Sequence, residues 1–229
     1  PDYRQTDRHP VVLLSWDDAV AFCAWAGVRL PTEAEWEHAA RGGRTGQVYG
    51  WGNEASRAQA NYGADQCCAG ATGGADRWLT TAPVRSFPPN DFGLYDMAGN
   101  VWEWVGGWLD EDYYGTSPSI NPPGAAAGYA RIARGGSWLN FPAALRTSVR
   151  LPFAQTGQTS NIGVRCARDV QVVVASQLAL AAASVRLSVT KRSQDIKPST
   201  QGSSRRRFMK QAVLGAVRPR PRLAPAPSG

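Results

Sequence analysis

Apolar residues recur at helical spacing in two places, both near the start of the chain. In "SWDDAVAFCAWAG", Ala19, Phe22, Cys23 and the Trp25–Ala26 pair fall on one helical stripe. Ser15 is a good N-cap with Asp18 three positions on, and Gly27 suits the residue after the helix. The spacing predicts a helix over 16–26. "RLPTEAEWEHAARGG" repeats the design: Thr32 caps, Glu35 completes a capping box, and Gly42–Gly43 stop the helix. Ala34, Trp36, Ala39 and Ala40 supply its apolar face, and Glu33 and Glu35 favour the positive end of the helix dipole.

Elsewhere the pattern is short or absent. "HPVVLL" (9–14) is an apolar run that suits a strand. From Val48 to about Tyr129, glycine, proline, asparagine and aspartate punctuate the chain every few residues. A loop region that long is uncommon unless metal ions, disulfides or buried tryptophans tie it down. "RIARGGSW" and "NIGVRCARD" read as two late strands, with "LRTSVR" as a third between them. The expected fold class is α+β, with two early helices, short antiparallel strands and little regular structure.

Composition changes this picture at one point. The 229 residues carry a net charge of +7, but it is unevenly placed. Residues 1–169 hold 14 Lys/Arg and 17 Asp/Glu, or −3, while 170–229 hold 11 and one, or +10. The basicity belongs to the tail, so it argues for no specific nucleic-acid partner of the folded part. Residues 170–190 are apolar, but Gln171, Gln177 and Arg186 interrupt them, which argues against a transmembrane segment. The basic remainder is expected to be largely disordered. Within it "SRRRFMKQAVLGAV" (204–217) looks like a twin-arginine export signal away from an N-terminus. It reads either as a chance basic segment or as a reading frame that has run into a neighbouring gene.

The four cysteines (Cys23, Cys67, Cys68 and Cys166) contain no C-x-x-C, which disfavours zinc. A bridge between Cys23 and Cys166 would imply an oxidising compartment. Neighbouring cysteines rarely bridge each other.

"GLYDMAGNVWEW" (93–104) carries the first candidate chemistry. Asp96 and Glu103 offer carboxylate oxygens, and the Gly99–Asn100 turn can aim the carbonyls of Gly99 and Val101 inward. Oxygen ligands at this spacing suit calcium better than zinc or copper; a plain acid–glycine turn is the competing reading. Trp102 and Trp104 would face the core. Asn61, the Tyr62 carbonyl, Asp76 and the Trp78 carbonyl form a looser set that local chemistry alone reads as a loop.

Five ordered motifs, "RLPTEAEWEHAARGG", "YGWGNE", "APVRSFPPNDFGLYDMAGNVWEW", "RGGSW" and "NIGVRC", resemble the sulfatase-modifying-factor family, which includes the formylglycine-generating enzyme. The resemblance spans about 10–169. It implies a single domain over 1–169, a variant of the C-type lectin fold. Usual members have sequence before "HPVV", so an N-terminally truncated domain is expected. The resemblance also implies two calcium sites. One falls on Asp96, Gly99, Val101 and Glu103, the other on Asn61, Tyr62, Asp76 and Trp78. Cys23 and Cys166 match a structural disulfide, which would place the protein in a periplasmic or extracellular setting. Cys67 and Cys68 have no counterpart and are expected to be loop thiols.

The oxidase chemistry of that family uses two cysteines after "RGGS" to hold copper(I). Here the segment reads "RGGSWLNFPAALRTSVR", with Asn140 at the first position and Leu145 near the second. Neither side chain can ligate copper(I) or exchange thiols, so copper is not expected. His9 and His38 are isolated, and no G-x-S-x-G is present. The favoured function is a non-catalytic, calcium-pinned module that binds an unidentified protein or small molecule. Its surface would be formed by Trp138, Leu139, Asn140, Phe141, Arg146 and Arg150, with Phe153 beside them. The competing reading places Trp138 in the core, where it is favoured, and Arg150 in strand pairing. The alternative function is an oxidoreductase of the same family whose metal ligands come from a missing or partner domain.

Overall fold

A computed structural model describes residues 1, 3–66 and 68–169. The basic tail, its apolar stretch, the export-signal-like segment and Cys67 lie outside the described residues.

Both helices form where their caps place them. Helix α1 is Trp16–Trp25, with the Ser15 hydroxyl accepting from Asp18 N–H and the Asp18 carboxylate accepting from Ser15 N–H. Helix α2 is Glu33–Arg41, capped by Thr32 with Glu35 and ended by Gly42 in the left-handed region. Their buried stripes are narrower than the sequence suggested. In α1 only Ala19 and Cys23 are buried; Phe22 and Trp25 lie outside, at 51% and 82% exposure, ring against ring. In α2 the buried residues are Glu33, Trp36 and Ala40. Glu33 is therefore an interior acid in the first turn, where Glu35 is also found.

Four short strands make one sheet: β1 (Trp102–Trp104), β2 (Arg131–Arg134), β3 (Arg150–Phe153) and β4 (Ile162–Val164). Their order is β3-β2-β1-β4. β1 and β3 both run antiparallel to β2, whereas β4 runs parallel to β1, with Trp102 beside Ile162 and Trp104 beside Val164. An all-antiparallel set is thus corrected at one edge. The third expected strand also moves: Pro142–Leu145 form a 3-10 turn, and pairing begins only at Arg150. Residues 9–14 form no strand. Leu13 has φ 59°, and the segment is held instead by its N–H on the Thr159 carbonyl at 3.1 Å. A four-residue helix, α3 (Tyr113–Thr116), interrupts the long loop region.

Successive strand residues face opposite sides of a sheet, and this divides the core. Trp102 and Trp104 pack with Leu14, Ala19, Cys23, Leu30 and Ile162. Trp36, Ala40, Met97, Val105 and Ile132 form a second cluster, and Trp36 donates its indole N–H to Glu103 at 2.7 Å. The tryptophans tie loops as well as fill space: Trp104 donates to the Leu14 carbonyl and Trp16 to that of Val105.

Cys23 and Cys166 are joined, with a Cα–Cα distance of 5.7 Å across a sequence separation of 143. The bond pins α1 to the chain just past β4. Loops that long gain most from closure, so Cys23→Ser with Cys166→Ser should cost about 2–4 kcal/mol in denaturant unfolding. A cost below about 1 kcal/mol would show that the unfolded chain gains little freedom when the bond is absent. Cys68 is also disulfide-bonded. That corrects the expectation of a free thiol there, and no described cysteine is free.

Candidate cation and ligand sites

Asp96, Gly99, Val101 and Glu103 line one cavity of about 280 Å³, together with Tyr95 and Arg165. The local backbone explains why. Asp96 has φ 56° and Gly99 φ 74°, so the chain turns twice before β1 begins. The turn is fixed from outside: Asn100 N–H donates to the Asn61 carbonyl at 2.8 Å, and Gly99 N–H to that of Gly135 at 2.9 Å. The Asn100 carboxamide grips both backbone groups of Ala82. The two sets of ligand residues read from the sequence are thus neighbours in space.

The two acids of the first set differ. Asp96 Oδ2 accepts from Arg85 N–H at 2.7 Å, but Asp96 Oδ1 is buried without a partner. Burial pushes the Asp96 carboxyl above its ordinary pKa. Glu103 is fully engaged: Arg165 reaches both its oxygens, at 2.7 and 2.8 Å, and Trp36 supplies a third donor. The Glu103 carboxylate in turn raises the pKa of Arg165. Glu103 Oε2 takes two of these donors and Oε1 one, so only Oε1 keeps a lone pair directed elsewhere. The orphaned Asp96 oxygen and the oxygen-only donor set fit a hard cation. Among the described residues no three His, Cys, Asp or Glu side chains cluster as a metal site, so backbone carbonyls would have to complete the shell.

The second set is knitted differently. Asp76 is buried and accepts from Tyr62 N–H at 3.2 Å and Trp78 N–H at 3.3 Å. Burial raises its pKa, and these N–H groups act against that rise. Asn61 donates to the Thr80 carbonyl, while its own Oδ1 is buried and unpartnered. The sequence reading missed Arg57, which enters this set. Its Nη1 donates to the Tyr62 carbonyl (2.7 Å) and to Asp76 Oδ2 (2.9 Å), and the guanidinium lies 4.1 Å from the Tyr62 ring centre. The only signal in the sequence was a basic residue four positions before Asn61, and such residues are ordinarily solvated.

The residues read as a ligand surface separate into different environments. Trp138 is buried among Val12, Val101 and Tyr3, so it is a core residue. Arg150 is clasped by both oxygens of Glu33, at 2.7 and 2.9 Å, and donates to the Asp110 carbonyl. Phe141 and Arg146 are exposed, Leu139 and Asn140 half-buried, and Phe153 packs against the core. None of these residues lines the 280 Å³ cavity or a second one, of about 270 Å³, beside Trp51, Arg44 and Met97.

The positions where thiolates would hold copper(I) are occupied structurally. Asn140 Oδ1 accepts from Trp102 Nε1 at 2.8 Å and from the Ser137 hydroxyl, while its carbonyl accepts from Gly63 N–H. Leu145 is 2% exposed and packs with Tyr49, Ala60 and Tyr62. These side chains do not fit copper(I), which prefers soft sulfur.

A family model described as the sulfatase-modifying factor enzyme 1-like domain matches residues 1–170. The chain belongs to the sulfatase-modifying-factor family. It is 44% identical over 175 residues to the formylglycine-generating enzyme of Streptomyces coelicolor, covering 74% of this chain and 55% of that protein. It is 39% identical over 170 residues to the inactive C-alpha-formylglycine-generating enzyme 2 of Bos taurus, covering 72% and 52%. The chain thus spans about half the length of the curated relatives it matches. Among solved structures it is similar to PvdO from Pseudomonas aeruginosa, with 34% identity, a TM-score of 0.60, and coverage of 74% of this chain and 66% of that one. The small mixed sheet, few helices and long ordered loops are the family's C-type-lectin-like α+β architecture.

Proposed function

We propose that this domain is a non-catalytic binding or accessory member of the sulfatase-modifying-factor family, with its loops pinned by calcium. One observation carries the reading. The segment after "RGGS" presents the Asn140 carboxamide and the Leu145 isobutyl group, and both are used by the fold. No cysteine lies between Cys68 and Cys166, so the thiol chemistry of the oxidase has no local source.

Calcium enters through Asp96 and Glu103 with the carbonyls of Gly99 and Val101. Bound there, it would supply charge to neutralise the buried Asp96 carboxylate and a crosslink across the turn. What remains for a partner is the exposed part of the 139–146 segment, where Phe141 and Arg146 stand out beside half-buried Leu139 and Asn140. An exposed aromatic and an exposed guanidinium on one short segment suit a protein or small-molecule ligand. The Cys23–Cys166 bond supports a periplasmic or extracellular location, since such bonds persist where the surroundings are oxidising. Among the described residues no helix is long and apolar enough to cross a membrane.

The test is a copper(I) titration of the full chain against a chromophoric competitor, with an aldehyde assay on a peptide carrying a sulfatase cysteine motif. We expect no stoichiometric copper(I) binding and no aldehyde. Tight one-to-one copper binding together with aldehyde formation would overturn the reading in favour of an oxidoreductase.

A further inference from the structure

The two cation sets are unequal in a way that fixes how many divalent ions the domain takes. In the first, Asp96 and Glu103 bring two negative charges. Arg165 holds both Glu103 oxygens, and Arg85 lies beside the cavity over the Tyr95 ring. Among the described residues no guanidinium is in ion-pair contact with Asp96, and one of its oxygens is buried with no partner. In the second, Asp76 brings one negative charge, and Arg57 already stands against it, with side-chain exposures of 19% for Arg57 and 0% for Asp76.

Arg57 does more than balance the charge. Nη1 takes the Tyr62 carbonyl, the Ala71 carbonyl and Asp76 Oδ2 at 2.7, 3.0 and 2.9 Å, and Nη2 takes the Gly63 carbonyl at 2.6 Å. These are oxygens drawn from four places along a loop that has almost no regular structure. Two of them belong to the residues that would otherwise ligate a cation there. A calcium ion needs about six to eight oxygens. It would have to take Tyr62 and Asp76 from Arg57 and then sit beside the displaced guanidinium. Two like charges in a partly buried site repel strongly, and Arg cannot give up its proton to relieve this. The orphaned Asn61 Oδ1 does not reverse the argument. It is one neutral amide oxygen, a fit for a water rather than for a shell.

We infer that Arg57 is the built-in cation of the second loop, and that this domain binds a single calcium ion, at Asp96–Glu103, in place of the two its family resemblance implies. The inference rests on the calcium reading for its first half only. A guanidinium cannot dissociate, so the Asn61–Trp78 loop stays clamped when calcium is removed, and only the Asp96 turn responds to the metal.

Calcium stoichiometry on the chelator-stripped full chain tests this, by isothermal titration and native mass spectrometry. The wild type should bind one ion, lost in Asp96→Asn and kept in Asp76→Asn. Arg57→Gln should bind two, and adding Asp76→Asn should return it to one. Two ions in the wild type, one of them removed by Asp76→Asn, would overturn the inference. So would an Arg57→Gln variant that gains no ion. If the wild type binds none but Arg57→Gln binds one through Asp76, the role of Arg57 stands and the calcium reading of the Asp96 turn falls. If Arg57→Gln does not fold even with calcium, terbium loading of the wild type decides. One tryptophan-sensitised terbium per chain supports the inference, and two sink it.

Discussion

Gly99→Ala should be among the most damaging single substitutions in this domain, costing about 3–5 kcal/mol. Two effects add. At φ 74° an L side chain meets its own carbonyl, worth roughly 1–2 kcal/mol. A Cβ at Gly99 would also lie inside van der Waals distance of the Asn61 carbonyl oxygen, 3.0 Å from its carbon and 3.3 Å from the Ala60 Cβ. Neither neighbour can retreat. Asn61 O holds Asn100 N–H, and Ala60 is fully buried. Gly27 supplies the control. It has φ 72°, and a Cβ there would meet nothing within 4 Å, so Gly27→Ala should show only the conformational part, about 1–2 kcal/mol. Denaturant midpoints for the two variants measure the contact by difference. Equal losses would mean that the close approach of the two loops contributes nothing.

The second large effect is expected inside the sheet. Arg134 on β2 is 0% exposed, and burial lowers its pKa. It donates to Glu37 and to the carbonyls of Val149 and Thr147, with Glu33 3.6 Å from its Nε. Glu33 meanwhile holds Arg150 and accepts from the Tyr114 hydroxyl, whose pKa is pushed up to about 12 by burial and by that carboxylate. Removing one partner from a buried charge network costs far more than the network's net worth. Arg134→Met should therefore lose about 3–5 kcal/mol, although it keeps the volume and apolar stem. Arg29 pairs with Glu35 and Asp169 at the surface, with 39% of its side chain exposed. Arg29→Met should cost no more than about 1 kcal/mol. Thermal or urea unfolding of both variants checks the ranking. If Arg134→Met is as mild as Arg29→Met, the interior pairs are not holding α2 to the sheet.

Local pattern reaches as far as the helix ends and part of the core. Ser15 with Asp18 and Thr32 with Glu35 were legible because a capping box closes within four residues. Gly27 and Gly42 marked both helix ends for the same reason. Trp102 and Trp104 were legible as core, since few places outside it accommodate two indoles flanking an acid. The ligand surface was not legible. Its parts differ: Trp138 is favoured as core and packs on Tyr3, and Arg150 pairs in β3 as its competing reading has it, but nothing local shows that a glutamate 117 positions away would clasp it.

By itself the sequence determined the helix caps and stops, the family, the absence of cysteines where copper(I) would be held, and which oxygen-bearing residues are candidates for a cation. Each depends on residue type at short spacing, which the chain fixes before it folds. Tertiary structure decided the parallel pairing of β4 with β1, the burial of Glu33, and the entry of Arg57 among the oxygens of the second loop. These join partners that are distant in sequence or outside any motif. Their energies come from desolvation and from charges meeting in a shared interior, which exists only once the loops have closed around it.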